Sequence, residues 1–595
     1  IGTVALRICI VTPFAWSQPH PVNDHVAGAA EELRRRSHEV VVLAPSGRAT
    51  ELAAGRRALK RLSREGTPLT GTVALGPAIP VSRRSRLGVP IGVRANLDLA
   101  LARDRFDLVH VHEPGVPSLS YLALRDTRGL AVATFHSAER LGYPPGKKQR
   151  EKLLGRVDAL TATSRATADA AAARFPGDYR VLPLGVDRAL FEPAPPRTRF
   201  VVEWRAEDLP RLRAVFRALG SLPGWEVVVL RTTTLAGRPY VPRGLRGRVM
   251  VRTALDARAR AAELAGAAGL VTATRGGARL AVEARAAGVP LIEPPGSSDQ
   301  PELIGAAVAR LAEDEAWRTS CSAKARASAE GERFERLGDE LERLYGTVLR
   351  KRRRVAAQEA SDPLAERPLI LADLHMHTEH SHDCAVPVPE LLDHAERIGL
   401  GAIAVTDHNV FSGAEEAVEL ARSRALTVIP GEEVKTDAGE VIGLFLSEEI
   451  PRGLPMGDTI AAIREQGGVV YLPHPFDRLH TIPDAGTLHR HLAEIDIFEV
   501  YNARLLFEGY NDEALRFARK YNLTMGAGSD AHVLQGVGTG LVRMRAFETP
   551  EEFLISLRSA EILRRPKSLL YLQGLKWVAQ ARERRTKAPV GQAPR

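Results

Sequence analysis

Cysteine is scarce in this sequence of 595 residues, and long apolar runs are missing from it. The three cysteines, Cys9, Cys321 and Cys384, stand far apart and form no CxxC pair, which excludes a disulfide framework and a cysteine-ligated zinc site. No run of about 18 apolar residues occurs, so no membrane-spanning helix is predicted. The apolar start VALRICIVTPF is too short for a signal peptide. We therefore expect a cytoplasmic protein.

The composition is that of a globular chain with a modest excess of basic residues. Hydrophobic residues make up 44% and charged residues 26%, which excludes a disordered or collagen-like chain. At roughly 150 residues per domain, the length predicts three or four domains. The 82 Lys and Arg residues exceed the 72 Asp and Glu residues. This excess suits anionic substrates, and an Arg-rich solvated surface explains it equally well.

Short β-branched runs alternate with longer helical segments along the chain, which is typical of parallel sheets covered by helices. Examples are RICIVTP, EVVVLAP and LVHVHEP, followed after a proline-rich hinge by FVVEW and EVVVLR. The predicted fold class is therefore α/β. We predict a first lobe over residues 1–190 and a second lobe over residues 191–348. A basic linker, 349–368, leads to a third α/β domain, 369–564, and a basic amphipathic helix with its tail follows over 565–595.

Histidine is concentrated in the third domain, where eleven of the 17 histidines lie between His375 and His532. The HxH pair in LADLHMHT places two imidazoles on one face of a strand, where they can share a metal ion. Further apolar runs end in or carry a metal-competent residue, in AIAVTDHN, LTVIPGEEV, GVVYLPHP, IFEVYN and LTMGAGSDAH. Ligands at the carboxyl ends of successive strands are typical of the active-site face of a β/α barrel.

These candidate ligands favour two or three divalent metal ions. Histidine and carboxylate ligands without cysteine favour Zn²⁺, Mn²⁺ or Fe²⁺, and the candidates outnumber what a single ion needs. Neighbouring ions lower the pKa of a bound water and bind the oxygens of a phosphoryl group. The sequence therefore predicts hydrolysis of a phosphate ester.

The motifs DLHMHT, SHD, VTDHN, IPGEE, LPHPF and GSDAH occur in order over residues 369–545. In them the chain resembles the PHP (polymerase and histidinol phosphatase) family of metal-dependent phosphoesterases. The resemblance implies a distorted (β/α)7 barrel with a trinuclear site. It implies as metal ligands His375, His377, Asp383, His408, Glu433, His474, Asp530 and His532. The family's Pro-Gly-x-Glu spacing selects Glu433, which is expected to bridge two ions, and Glu499 is the nearest candidate for one further ligand.

The segment EVYNAR resembles short PHP proteins that act on small phosphate esters. The resemblance places Arg504 near the substrate as a catalytic-site residue. Its guanidinium group is expected to bind phosphate through two parallel hydrogen bonds. An ordinary surface arginine is the alternative for this position.

Residues 1–350 resemble retaining GT-B glycosyltransferases, in particular the group that includes phosphatidylinositol mannosyltransferases. The resemblance rests on RICIVTPFAW, FDLVHVHEP, TFHS, VDALTATS, VLPLGVDRALF and AVEARAAGVPLIE. It implies two Rossmann-like lobes, with His136 lining the cleft as a catalytic or acceptor-side residue and Glu283 holding the ribose of a nucleotide-sugar donor. Arg275 replaces the first acid of the family's E-x7-E pattern, and only Arg205 is a candidate for its diphosphate-binding cations. A degenerate donor site is therefore expected.

These sequence patterns are compatible with three functions. The first is a phosphoesterase for a small phosphorylated substrate, with a transferase-like region that binds or modifies a glycosyl or nucleotide compound. The second is an active glycosyltransferase with a glycosyl or lipid-linked acceptor and an accessory PHP barrel. The third is a PHP-type nuclease, but the sequence has no polymerase body and no aromatic and basic groove pattern, so nucleic acid is not an expected partner. The C-terminal helix either contacts a membrane surface peripherally or packs on the protein itself.

Overall fold

The computed structural model describes residues 5–78, 92–232, 237–273, 278–293, 300–352 and 363–566, with residues 568, 574 and 575. The chain forms two compact units, Ile1–Leu349 and Arg350–Arg595. We call them the front unit and the barrel unit. The front unit contains two parallel sheets, and the barrel unit contains one mixed sheet. Each sheet has its own hydrophobic core.

Among the described residues, the first lobe of the front unit is a seven-stranded parallel sheet in the order β3-β2-β1-β4-β5-β6-β7. Its strands are β1 (Arg7–Val11), β2 (Glu39–Ser46), β3 (Gly71–Pro77), β4 (Leu108–His112), β5 (Leu130–Phe135), β6 (Ala159–Ala162) and β7 (Tyr179–Val181). Its helices are α1 (Pro21–Arg35), α2 (Ala49–Glu65), α3 (Arg94–Arg103), α4 (Leu119–Asp126), α5 (Lys147–Leu154) and α6 (Arg165–Ala172). The central strands β4 and β5 are buried along their whole length, as expected for a sheet covered on both faces.

The second lobe has a five-stranded parallel sheet in the order β10-β9-β8-β11-β12 within the described ranges. Its strands are β8 (Arg199–Glu203), β9 (Glu226–Arg231), β10 (Val249–Thr253), β11 (Gly269–Val271) and β12 (Leu291–Ile292). Its helices are α7 (Leu209–Gly220), α8 (Ala257–Leu264), α9 (Ala278–Ala286), α10 (Pro301–Glu313), α11 (Glu315–Ser328) and α12 (Phe334–Leu349). The front unit is therefore the pair of Rossmann-like lobes that the sequence predicts.

Helix α12 returns to the first lobe and packs against α1. Arg36, at the end of α1, donates hydrogen bonds to Asp339 at 2.9 Å and to Glu342 at 2.8 Å. The hydroxyl of Tyr345 lies 2.8 Å from Nδ1 of His110 in the first sheet. Polar contacts of this kind fix the position of a helix more narrowly than apolar contacts alone, because their geometry is directional.

The barrel unit contains a nine-stranded sheet in the order β19-β18-β17-β16-β15-β14-β13-β20-β21, as far as the structure describes it. Its strands are β13 (Leu369–Met376), β14 (Ala402–Val405), β15 (Thr427–Lys435), β16 (Glu440–Leu444), β17 (Val469–Leu472), β18 (Ile497–Asn502), β19 (Thr524–Gly528), β20 (Gly540–Arg545) and β21 (Glu561–Arg564). Its helices are α13 (Val388–Arg397), α14 (Ser412–Ala421), α15 (Met456–Glu465), α16 (Ala485–His491), α17 (Glu508–Tyr521) and α18 (Pro550–Arg558).

Strands β13 to β19 curl into a nearly closed seven-stranded barrel. The last strand meets the first through a parallel bridge between Met376 and Ala531. The amide of Asp530 donates to the carbonyl of His375 at 2.8 Å, and the amide of His377 donates to the carbonyl of Ala531 at 3.1 Å. The prediction of a distorted (β/α)7 barrel after two Rossmann-like lobes is therefore confirmed.

The distortion of the barrel comes from strand β16, which is antiparallel to both of its neighbours. Residues 436–439 join β15 to β16, and such a short connection leaves no room for the crossover helix that a parallel strand needs. Strands β20 and β21 add an antiparallel extension beyond β13.

Two predicted segments fall partly or mostly outside the described residues. The basic linker, predicted over 349–368, is described only up to residue 352 and again from residue 363. Nearly all of the predicted C-terminal amphipathic helix, 565–595, also lies outside them. No helix in the described part of the chain combines the length and apolar character that a membrane span requires.

The contact between α1 and the start of α12 provides a test of the front unit. A Cβ atom added at Gly28 would lie 2.0 Å from Cζ of Phe334, whereas one added at Gly220 meets no heavy atom within 4 Å. We expect Gly28→Ala to lower the free energy of unfolding by about 1–3 kcal/mol because the added methyl overpacks this contact. Denaturant unfolding measures the change, and Gly220→Ala is the matched control with no loss expected. Equal stability of the two variants would contradict the packing described here.

Candidate metal centre

The predicted metal ligands meet at the carboxyl ends of the barrel strands. They lie in or directly after β13, β14, β15, β17 and β19, except for Asp383, which lies in the loop after β13. Potential ligand atoms lie within 4.8 Å of one another in four overlapping groups: His375, His377 and Asp530; His375, Glu433 and His474; His377, His408 and His532; and His408, Glu433 and Glu440. The structure thus brings together residues that are far apart in the sequence, since His375 and His532 are separated by 157 positions.

Glu433 lies at the centre of these groups, and its two carboxylate oxygens face different imidazoles. Oε2 lies 3.3 Å from Nε2 of His375 and 3.1 Å from Nδ1 of His408. Oε1 lies 3.0 Å from Nε2 of His474. A carboxylate whose oxygens point to separate ligand groups is suited to bridge two metal ions.

Asp383 and Asp530 are two further carboxylates that lie beside histidines of the cluster. Oδ2 of Asp383 lies 2.8 Å from Nε2 of His532, and its Oδ1 lies 3.9 Å from Nε2 of His408. Oδ1 of Asp530 lies 3.4 Å from Nε2 of His377. These contacts place both carboxylates beside the group of three histidines that includes His377, His408 and His532.

Glu440 is a member of the cluster that the sequence analysis missed. Its carboxylate oxygens lie 3.6 Å from Nε2 of His474 and 4.0 Å from Nδ1 of His408. In the antiparallel ladder Glu433 pairs with Ile442, so Glu440, two residues before Ile442, points to the same face as Glu433. Recognising the hairpin between β15 and β16 would have revealed this ligand, because the alternation of side chains then predicts its direction.

Glu499 lies behind the cluster and orients two of its members. Its carboxylate accepts a hydrogen bond from the amide of His474 at 2.7 Å and from the hydroxyl of Tyr471 at 2.9 Å, and Oε1 lies 3.1 Å from Nδ1 of His375. Histidine ligands usually donate their second ring N–H to such a partner, which fixes the tautomer. The geometry therefore gives Glu499 an orienting position and places it outside the four groups of potential ligands.

Arg504 lies at the edge of the same cluster. Its Nη1 donates to Oδ1 of Asp530 at 3.1 Å and lies 3.1 Å from Nε2 of His532, while Nη2 lies 4.0 Å from Oδ2 of Asp383. The side chain keeps 33% of its surface exposed. A guanidinium group that borders a buried ligand cluster and still reaches solvent is suited to bind an anionic substrate.

The electrostatics of the cluster favour the ionised form of Glu433 and Asp530, whereas burial and the nearby Glu433 raise the pKa of Glu440. Burial raises the pKa of Glu433, but the neighbouring His375 and His408 outweigh burial and hold that pKa well below its usual range. Burial likewise raises the pKa of Asp530, and Arg504 and His375 reverse the effect.

Burial, with His532 and His408 nearby, lowers the pKa of His377 well below its usual range. Glu433 outweighs burial in the opposite direction at two other histidines, since it raises the pKa of His375 well above its usual range and that of His474 to about 9. Because ionised carboxylates and neutral imidazoles are the forms that bind metal ions, His375 and His474 would release their protons when an ion binds.

The residues present fit a group of divalent metal ions. The ligand atoms are imidazole nitrogens and carboxylate oxygens, and the buried Oε2 of Glu440 has no hydrogen-bond partner among the described residues. The nearby thiol of Cys384 points away, toward the carbonyl oxygens of His377 and His532. A cluster with nitrogen and oxygen ligands suits Zn²⁺, Mn²⁺ or Fe²⁺.

In the front unit, His136 follows β5 and contacts another histidine. Its Nε2 lies 2.8 Å from Nδ1 of His112, and its amide donates to Oε1 of Glu113 at 3.0 Å. Arg205 follows β8, where its Nη2 lies 3.8 Å from Oε1 of Glu203. Arg275 lies outside the described residues. The proposed catalytic role of His136 and the donor-binding role of Arg205 stay predictions.

Glu283 is completely buried and already paired with two arginines. Arg260 donates Nε to Oε2 at 2.6 Å and Nη2 to Oε1 at 2.8 Å, and Arg279 donates Nε to Oε1 at 2.9 Å. Arg260 also binds Asp24 of the first lobe at 2.7 Å, and Nη1 of Arg279 donates to the carbonyl of Gly185 at 2.6 Å. A ribose can reach Glu283 only if these guanidinium groups are displaced.

Three family models match successive parts of the chain. Residues 22–190 match the glycosyltransferase family 4 model, residues 373–508 match the PHP domain model, and residues 508–562 match the PHP-associated model. The chain joins a glycosyltransferase family 4 region to a PHP domain. The two PHP models together span the strands that carry every member of the candidate metal centre.

Individual relatives resemble one or the other part of this PHP fusion protein. An uncharacterized protein of Methanocaldococcus jannaschii is 36% identical over 22% of this chain and 81% of its own length. A phosphatidyl-myo-inositol mannosyltransferase of Mycolicibacterium smegmatis is 31% identical over 38% of this chain and 58% of its own length. The crystal structure of AviGT4, a glycosyltransferase involved in avilamycin A biosynthesis, is 16% identical over 58% of this chain and 98% of that chain, with a TM-score of 0.35. The chain thus spans little more than half the length of the mannosyltransferase it matches.

Removing two ligands tests the metal centre. We expect His377→Ala combined with Asp530→Ala to lower the metal content of the purified protein by at least one equivalent per chain, because the two residues share one group of ligands. Elemental analysis by mass spectrometry measures the content. His394→Ala, on helix α13 of the same unit, is the control and should keep the full content. An unchanged metal content in the double variant would show that these residues do not bind the ions.

Removing one arginine tests the buried ion pairs of Glu283. We expect Arg260→Met to lower the free energy of unfolding of the front unit by about 3–5 kcal/mol, because it leaves a buried carboxylate with one partner fewer. Arg258→Met, an exposed position on the same helix, should change the free energy by less than about 0.5 kcal/mol. Urea unfolding of both variants measures the difference. A similar stability of the two variants would contradict this network.

Proposed function

We propose that the barrel unit hydrolyses a phosphate ester with a water molecule activated by two or three divalent metal ions. The substrate is a small phosphorylated compound. The front unit binds or modifies a glycosyl or nucleotide compound, and the PHP domain carries the hydrolytic activity of the chain.

The observation that carries this proposal is the position of Glu433 between separate groups of ligands. Each of its oxygens faces different imidazoles at about 3 Å, so one residue can hold two ions close together. Bound ions of this kind would supply Lewis acidity and lower the pKa of a water molecule, and a pair of ions suits the attacking and leaving oxygens of a phosphoryl group.

The side chains around the cluster have separate roles in this proposal. Arg504 binds a phosphate oxygen from the exposed edge, since its guanidinium group is charged, partly exposed and adjacent to the ligands Asp530 and His532. Glu499 orients His375 and the backbone of His474. The buried position of the ligands excludes bulk water, which strengthens the attraction between the site and an anionic substrate.

A second candidate function is glycosyl transfer by the front unit, with the PHP domain as an accessory. The match of residues 22–190 to the glycosyltransferase family 4 model favours it. The pairing of Glu283 with Arg260 and Arg279 speaks against it, because the carboxylate expected to hold the donor ribose is occupied. A lipid-linked or glycosyl acceptor belongs to this second candidate only.

Substituting the arginine at the edge of the site tests the first proposal. We expect Arg504→Met to lower kcat/KM for phosphate-ester hydrolysis about tenfold to a hundredfold, because one charged hydrogen bond to the substrate is lost. The bound metal should remain. Arg519→Met, an exposed position on helix α17, is the matched control and should keep full activity. The assay measures phosphate released from nucleotides, sugar phosphates and inositol phosphates at saturating Mn²⁺ or Zn²⁺.

Measuring two products in one preparation separates the candidate functions. Release of inorganic phosphate that disappears in His375→Ala supports the phosphoesterase, and phosphatase activity that survives in His375→Ala contradicts it. Release of a nucleoside diphosphate from a nucleotide sugar, unaffected by His375→Ala, supports the transferase instead. Shortening of a single-stranded oligonucleotide at rates above those for small esters would support a nuclease.

A further inference from the structure

A second cluster of histidines lies in the first lobe of the front unit. His25 comes from α1, His112 ends β4, and His136 directly follows β5. One ring nitrogen of each lies within 4.8 Å of a ring nitrogen of the other two. His25 and His112 are buried and His136 is partly buried. Three separate chain segments therefore bring three imidazoles to the carboxyl edge of one parallel sheet.

The spacing of the three rings is that of imidazoles around one ion. Ring centroids are 5.5 Å apart for His25 and His112, 4.9 Å for His25 and His136, and 5.1 Å for His112 and His136. Two imidazoles bound tetrahedrally at ~2.0–2.1 Å have ring centroids about 5.2 Å apart. The contact of 2.8 Å between Nδ1 of His112 and Nε2 of His136 would lengthen by about half an ångström when an ion binds between such ligands.

Neighbouring groups leave ring nitrogens of this cluster available. Nδ1 of His25 lies 2.7 Å from the carbonyl oxygen of Leu184. Because a carbonyl oxygen only accepts hydrogen bonds, Nδ1 carries the N–H of the neutral ring, and Nε2 therefore keeps its lone pair. A backbone carbonyl in this position is a common outer partner of a metal-bound histidine. Nδ1 of His112 and Nε2 of His136 face each other, so these are the nitrogens that an ion between the two rings would bind.

The adjacent His110 provides a comparison, because its contacts are those of a purely structural histidine. Its two ring nitrogens are occupied by the hydroxyl of Tyr345 at 2.8 Å and the hydroxyl of Thr134 at 2.6 Å. Its ring stacks on that of His112, with centroids 4.5 Å apart. His110 is thus fully hydrogen-bonded to side-chain hydroxyl groups, whereas Nδ1 of His112 faces another imidazole.

The charge state of the cluster suits metal binding. Burial lowers the pKa of His25 to about 4, and burial with neighbouring imidazoles lowers the pKa of His112 and of His136 well below the usual range. Neutral imidazoles are the form that binds metal ions. Of the neighbouring charged groups, Arg279 and Arg140 are cations, and Glu113 supplies a carboxylate whose Oε2 has no hydrogen-bond partner in the described chain.

We propose that His25, His112 and His136 bind one divalent transition-metal ion, at a site separate from the PHP centre. The ligand set of three imidazoles suits Zn²⁺, and it also suits Co²⁺ or Ni²⁺. Three protein ligands leave a fourth position for water or an anionic oxygen, as in open zinc sites, whereas closed structural sites have four protein ligands. The site lies at the carboxyl edge of the first sheet, where α/β proteins bind ligands.

The test uses the full chain with its PHP centre disabled by His375→Ala, His377→Ala, Glu433→Gln and Asp530→Ala, which together remove at least one member from each of its four ligand groups. Titration with Co²⁺ follows the visible absorption of the bound ion. We expect one equivalent to bind, and we expect His112→Gln or His136→Gln, added to this background, to weaken binding at least about tenfold, since even the loss of an outer partner costs that much. X-ray absorption of the Zn²⁺-loaded background chain should count three imidazoles.

His20→Asn is the matched control. His20 caps α1 through its Nδ1 and stacks on Phe14, and asparagine retains the cap, so Co²⁺ binding should stay unchanged. Thermal unfolding without metal checks that each variant is folded. If a variant is unfolded, His136→Asn takes its place in the titration. Absence of Co²⁺ binding in the background chain, or binding that survives both His112→Gln and His136→Gln, overturns the proposal.

Discussion

The contact between the buried carboxylate of Glu433 and imidazoles from three strands is the interaction on which the barrel site depends. A buried carboxylate without partners loses several kcal/mol of hydration, and here His375, His408 and His474 approach it from the ends of β13, β14 and β17. These strands lie one or two places from β15 in the curled sheet, and the bridge between Met376 and Ala531 closes the sheet beside the same site. The curl of the sheet therefore brings the imidazoles to this charge, and the candidate metal ligands meet because the strands that carry them are near neighbours.

Much of this arrangement could be predicted from the sequence because ligands at strand ends leave a local signal. An apolar run followed by His or Asp identifies both the strand and its functional end, and this signal identified His408, His474 and Asp530. Glu440 gave no such signal, since it begins an antiparallel strand whose direction depends on the short connection before it. Glu499 lies on a parallel strand like the ligands, but its contacts with Tyr471 and the amide of His474 are tertiary and invisible in the sequence.

The front unit shows a different limit of prediction. The motif around Glu283 lies on helix α9 of the second lobe, and a motif does not reveal which charges surround a residue. Arg260 and Arg279 come from different helices, and only the folded lobe shows that both donate to the same carboxylate. Arg260 also donates to Asp24 of the first lobe, so the carboxylate that family resemblance assigns to a donor shares one of its arginine partners with the other lobe. Sequence therefore predicted the position of Glu283 and could not predict its partners.

The return of α12 to the first lobe has a consequence for synthesis of the chain on the ribosome. The first sheet is complete in sequence at β7, but His110 in β4 and Arg36 at the end of α1 each have partners in α12, namely Tyr345 for His110 and Asp339 and Glu342 for Arg36. Domains generally fold as units during synthesis, from the N-terminus onward. The first lobe here lacks one of its covering helices until the entire second lobe has left the ribosome, so during that interval it is an intermediate that exposes apolar surface around α1.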